Sequence, residues 1–139
     1  MPGCLFCRIV AGDEPAHVVV EGDEQVLGFL DVRPVFEGHT LLVPRIHRDD
    51  LADVTPGELA GLLAVAQRVA AAQEQALGAG GAWVSINHRV SQSVPHLHVH
   101  VVPRTKGDGL RGFFWPRTKY ADDAAAADVA RRLRQALEA

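Results

Sequence analysis

The sequence has little of what marks a specialised partner. No charge predominates: 14 Lys and Arg against 17 Asp and Glu leave a formal net charge of −3, so nothing pulls the whole chain toward nucleic acid or a membrane surface. No apolar run approaches the roughly 18 residues of a membrane span. The first residues include Asp13 and Glu14 and no long apolar core, which argues against a signal peptide and predicts a cytoplasmic protein. No repeat or low-complexity linker interrupts the chain. Cysteine is scarce, two residues, both in Cys4-Leu5-Phe6-Cys7. Two cysteines cannot complete a tetrahedral zinc site without two more ligands. A thioredoxin-like redox pair would follow a strand, and none precedes Cys4. From these residues alone, a zinc knuckle, a redox pair and free thiols all stay open.

What is present suffices for one domain and one core: 139 residues, 47% hydrophobic and 22% charged. His17 to Glu21 and Gln25 to Asp31 read as two strands around the turn Gly22-Asp23-Glu24, a hairpin ended by Pro34. His39 to Val43 is a third strand, stopped by Pro44. Thr55-Pro56-Gly57-Glu58 predicts a helix start, with Thr55 as cap, Pro56 in the first turn and Glu58 completing a capping box. Leu59, Leu62, Leu63, Ala66, Val69 and Ala70 give that helix an apolar face, and the glycines at 78, 80 and 81 end it. Ala82 to Asn87 is a fourth strand. Asp122 and Asp123 favour the start of a last helix, in which Val129, Leu133 and Leu137 predict docking on the body. Antiparallel strands with one intervening helix predict an α+β fold.

The densest chemistry lies in Pro95-His96-Leu97-His98-Val99-His100-Val101-Val102-Pro103, which holds three of the seven histidines. Strict alternation predicts a strand with an apolar face and a face of three imidazoles. Neighbouring imidazoles on such a face are about 6.6 Å apart and the outer two about 13 Å. A metal–imidazole bond is about 2.0–2.1 Å, so at least one of the three needs another task.

Gln92-Ser93-Val94-Pro95-His96-Leu97-His98-Val99-His100-Val101-Val102 resembles the signature of the histidine-triad (HIT) superfamily of nucleotide hydrolases and transferases, with Ser91 where Gly is usual. The segment from Gly38-His39 through Pro44 to His47 is similar to the same family. The resemblance implies a HIT-like fold over residues 1–139, with 104–139 as a variable tail. It also implies a homodimer joining two antiparallel sheets, each with a long helix and a C-terminal helix.

For activity, the resemblance implies that His98 attacks the α-phosphate of a purine nucleotide and forms a nucleotidyl adduct that water hydrolyses. His100 and His39 would support it, and Gln92, Ser93 and Asn87 would donate to phosphate or leaving group. Asp31 matches the ribose-binding acid, a role favoured over that of a turn residue before Pro34. Phe6, Ile9, Phe29 and Leu30 match the base pocket and are equally core. Some bacterial members carry a Cys-x-x-Cys with two histidines; the matching residues here are Cys4, Cys7, His47 and His96, implying a structural zinc. The expected substrate is a nucleoside 5′-monophosphate derivative such as an adenosine phosphoramidate. Alternatives are cleavage or phosphorolysis of dinucleoside polyphosphates, and a nucleotide-binding regulatory module with negligible turnover. Arg104 to Tyr120 mixes basic and aromatic residues, which suits single-stranded nucleic acid or a loop closing over its own site or a partner subunit. The negative net charge favours the loop.

Overall fold

The capping box expected at Thr55 forms in full: Thr55 Oγ1 accepts from Glu58 N–H at 3.2 Å, and Glu58 Oε2 accepts from Thr55 N–H at 3.1 Å. In the computed structural model, which describes residues 1–111 and 117–138, this cap opens α2 (Pro56–Leu77). The other elements are α1 (Leu5–Ala11), β1 (Val18–Val20), β2 (Val26–Leu30), β3 (Thr40–Pro44), β4 (Gly81–Ile86), β5 (Val99–Arg104) and α3 (Asp123–Glu138). The strands form one antiparallel sheet in the order β1-β2-β3-β5-β4. Insertion of β5 between β3 and β4 places His100 opposite Leu41 of β3 and Ser85 of β4.

Two apolar layers sandwich the sheet. On one side Leu62, Val65, Ala66 and Val69 of α2 pack on Val26, Leu42, Leu97, Val99 and Val101. On the other, Phe6 and its neighbours in α1 pack on Leu27, Phe29, Leu41 and Val43. The alternation Leu97, Val99, Val101 therefore faces α2, as its period predicts, and the histidines between them face α1.

Several expectations need correcting. Leu63 does not join the core: it is 42% exposed, and Val65 takes the buried place in the stripe. The strand of the triad begins at Val99, not at His96. Before Val99 the backbone is held by other bonds, Leu97 N–H to Arg48 O at 2.7 Å and His96 N–H to Val94 O at 2.8 Å. The seven-residue α1 was not expected; Cys4 caps it through its thiol and Gly12, at φ 83, closes it. The chain parts into two units, Met1–Asp108 and Gly109–Ala139. In the second, α3 forms where the acidic start predicts, with Leu133 and Leu137 exposed. Phe113, Phe114 and Trp115 of the basic-aromatic stretch lie outside the described residues. Among the described residues no helix is long and apolar enough to cross a membrane.

Candidate functional site

Cys4 and Cys7 lie at the start of α1, His47 on the segment after β3, and His96 just before β5. Their ligand atoms all lie within 4.8 Å of one another. Cys7 Sγ is 3.2 Å from His47 Nδ1, and both sulfurs are 3.5 Å from His96 Nδ1. A tetrahedral zinc with bonds of about 2.3 Å to sulfur and about 2.0–2.1 Å to nitrogen has sulfur–nitrogen edges of about 3.5 Å. The hydrogens fit as well. His96 Nε2–H donates to Pro44 O at 2.8 Å, and His47 Nε2–H donates to the Asp49 carboxylate at 2.7 Å. Each ring thus turns the lone pair of Nδ1 toward the sulfurs, the tautomer a metal needs, fixed by an outer partner. Burial and the adjacent Cys4 raise the Cys7 thiol above its ordinary range, so holding both sulfurs as thiolates calls for a cation between them. The donor set fits zinc.

His98 is held differently. Its Nδ1–H donates to the backbone oxygen of His96 at 2.9 Å, which leaves the lone pair on Nε2. Beside it runs a directed chain of hydrogen bonds. Val35 N–H donates to His39 Nδ1 at 3.1 Å, so His39 carries its hydrogen on Nε2 and donates it to His100 Nδ1 at 3.0 Å. His100 must then carry its own hydrogen on Nε2, a buried atom without a protein partner among the described residues. Asp31 Oδ2 lies 3.7 Å from His39 Nε2.

Asp31, His39 and His100 also bring ligand atoms within 4.8 Å. Their hydrogens do not suit a metal. A metal on His39 Nε2 would drive the ring proton to Nδ1, against the Val35 N–H that now points there.

Burial lowers all three imidazoles below the ordinary range. For His98, burial outweighs its bond to His96 and the Asp31 charge, which both oppose the shift. For His39, burial is opposed by Asp31 and aided by His98. His100 is pushed down to about 4, by burial first and then by His98 and His39. At neutral pH all three rings are uncharged.

Two of these rings, His98 and His100, meet a cavity of ≈ 390 Å³ lined also by Phe6, Ile9, Phe29, Leu30, Asp31 and Ser93 among others. Eight of the ten residues assigned to nucleotide binding from sequence therefore line one space. Phe6 joins this space to the metal cluster. Its ring stands edge-on to His98, with centroids 5.1 Å apart, and packs on His96 at 6.0 Å. The cavity also takes Arg33, Val94 and Leu41, which the sequence did not single out.

The other two residues are placed elsewhere. Asn87 is exposed and outside the lining. Gln92 gives its amide N–H to Asp49 O at 2.6 Å and accepts from Arg89 N–H at 3.1 Å, so it ties the loop before the triad to the His47 segment. In that loop Arg89 and Ser91 have φ of 68° and 61°, left-handed values that explain why Gly is usual at Ser91. Asp49 and Pro44, partners of the two ligand histidines, were also missed. An acid two residues beyond His47 was the available signal for Asp49.

Comparison with known proteins agrees with this geometry. The HIT domain family model matches residues 11–107. A HIT-like protein of Mycobacterium tuberculosis is 41% identical over 109 residues, covering 77% of this chain and 75% of that one. The crystal structure of a zinc-bound histidine triad family protein from Mycobacterium smegmatis is 42% identical, with a TM-score of 0.76 over 94% of this chain and 98% of the other. A solved structure from Streptococcus mutans, 35% identical, has a TM-score of 0.87 over 99% of this chain and 87% of the other.

Proposed function

This chain belongs to the HIT family and has its fold, and from that membership we propose that it hydrolyses nucleoside 5′-monophosphate derivatives at the α-phosphate through a nucleotidyl–His98 intermediate. The observation that carries the reading is the setting of His98. Its Nδ1–H is occupied by the His96 carbonyl at 2.9 Å, and its Nε2 lone pair is free beside the cavity.

Nε2 attacks phosphorus, and the bond to the leaving group breaks with its electron pair on that group. His100, its tautomer set by the Val35–His39 chain, lines the cavity beside this charge, and its buried Nε2–H must be uncovered to hydrogen-bond it. Water then attacks phosphorus, the phosphorus–nitrogen bond breaks, and the lone pair returns to His98 with release of the monophosphate. Phe6, Ile9, Phe29 and Leu30 take the purine, Asp31 the ribose hydroxyls, and Ser93 a phosphate oxygen. Gln92 and Asn87 lie outside the cavity lining and are given no part in the step.

Zinc would be held by Cys4, Cys7, His47 and His96 and, with four protein ligands, would be structural: it would tie the start of α1 to the segments after β3 and before β5. The partner is a second copy of the chain. β4 is an edge strand, and Val84 and Leu63, each 42% exposed, border an apolar depression beside it; a two-fold axis there would pair β4 with its copy.

The test is stereochemical. Single turnover of a phosphoramidate with isotopically chiral phosphorus should give net retention, the result of two in-line displacements. Inversion rejects the adduct. A panel of AMP-lysine phosphoramidate, dinucleoside tetraphosphate and nucleoside diphosphate sugar ranks the leaving groups, with the phosphoramidate expected first.

A further inference from the structure

The buried stripe of α2 is apolar at Leu62, Val65, Ala66 and Val69 and then, at the same helical spacing, ends in an amide, Gln73, only 4% exposed. An amide in such a place needs partners. Its Nε2 has two: Gly38 O at 3.0 Å and Val101 O at 2.9 Å. Both are acceptors, which fixes the orientation of the amide. Gly38 immediately precedes His39, and Val101 immediately follows His100. The β3–β5 pairing ends at Thr40 opposite Val101, so beyond that pair the ladder gives the two chains no further bond. One nitrogen, reaching from the α2 side, closes that gap between the backbones that carry the two hydrogen-bonded histidines.

We infer that Gln73 is a positioning residue for the His39–His100 pair: it holds their backbones so that His39 Nε2–H meets His100 Nδ1. Two further observations support this. Gly38 sits at φ +95, and a Cβ there would lie 2.3 Å from Leu77 Cδ1, so this turn packs against the last residue of α2. Gln73 Oε1 is buried without a hydrogen-bond partner among the described residues, a cost retained for the sake of the two bonds from its nitrogen. The consequence for turnover rests on the hydrolase reading above; the consequence for the rings does not.

The experiment compares the full-length protein with Gln73→Met, which keeps length and volume and removes both donors. Ring nitrogens are read by long-range ¹H–¹⁵N NMR. In the wild type, His39 and His100 should each be protonated at Nε2. In Gln73→Met both should average between tautomers, and the His100 midpoint should move at least one pH unit upward. His96 and His98, held by the Pro44 and His96 carbonyls, should keep their tautomers. With AMP-lysine phosphoramidate, kcat should fall at least tenfold while KM stays within twofold. Unchanged His39 and His100 tautomers overturn the inference, and so does an equal disturbance of all four rings, which would make Gln73 a general packing residue. If Gln73→Met does not fold, Gln73→Glu is read by the same criteria. A wild type without turnover defeats the hydrolase reading and leaves the ring measurements to decide for Gln73.

Discussion

His96 and His100 stand four residues apart in the chain, yet their ring hydrogens are set in opposite senses. His96 gives Nε2–H to the Pro44 carbonyl and turns a lone pair at Nδ1 toward two sulfurs. His100 receives a hydrogen at Nδ1 from His39 and carries its own on Nε2, a buried atom of a ring that lines the cavity. His96 is buried and His100 half-buried, and burial is the first cause lowering both. What would separate a metal ligand from a hydrogen-bond donor is thus the outer partner of each ring, a carbonyl for one and an imidazole for the other. His98 lies between them and combines features of both: a carbonyl holds its Nδ1–H, as for a ligand, but its lone pair faces the cavity.

The sharpest way to break this comparison is to remove the ring between the two sets. His98→Ala should lower turnover by at least ~10³, about 4 kcal/mol of barrier, with the affinity for nucleoside monophosphate nearly unchanged. Single-turnover kinetics and a binding titration check it; a variant with a third of the wild-type rate would show that His98 is not the nucleophile.

Next in size is the metal side. Purified protein should carry about one zinc per chain, and the double change Cys4→Ser, Cys7→Ser should remove it and cost several kcal/mol, on the order of 10 °C in Tm. Elemental analysis and a thermal melt read both. Zinc retained in the double variant would assign the ion to other residues.

Smaller again is the response to pH. His100 has its native pKa lowered to about 4, so the folded state binds fewer protons than the unfolded state between that value and the ordinary ~6.5. Its contribution to stability is complete above ~6.5 and is lost as pH falls through that window toward 4. Denaturation midpoints from pH 7 to 4 and ring titrations by NMR measure it, the fitted midpoints belonging to the His39–His98–His100 set. A His100 midpoint near 6.5 would mean that the pair is open to water.

The smallest effect concerns the loop ahead of both sets. Ser91 at φ 61 carries a left-handed strain of about 1–2 kcal/mol. Ser91→Gly relieves it, against roughly 0.4–1 kcal/mol of added freedom in the unfolded chain. A net gain of up to about 1 kcal/mol is expected in chemical denaturation, and a loss would show that the Ser91 side chain anchors the loop.

Much of this was legible because the chemistry is local. The Thr55–Glu58 cap, the alternation of Leu97, Val99 and Val101 against the histidines, and the hairpin before Pro34 are each written within a few residues. The site residues were legible only by resemblance to a family signature, since no spacing in the chain brings Cys4 to His96. The rest depends on contacts distant in sequence. α1 contains Phe6, Cys7, Ile9 and Val10, which favour helices weakly, and its cap is a thiol, not a Ser or Asp. The position of β5 between β3 and β4 follows from packing on α2. Gln73, in an alanine-rich helix, looks like surface until the two carbonyls it serves are seen together.

If zinc binds there, the thiol cap of α1 would also set an order of events in the life of the chain. A seven-residue helix is too short to persist alone. Its first turn is anchored at Cys4 and Cys7, and that same turn carries Phe6, with Ile9 following, to the wall of the cavity. With zinc at this anchor, a newly made chain would complete its sheet before it possessed a binding site, and loading of the ion would be the maturation step that gives the cavity its wall. Cells starved of zinc would then accumulate folded but nucleotide-blind protein, so the fraction able to bind nucleotide would report the metal supply at the time of synthesis.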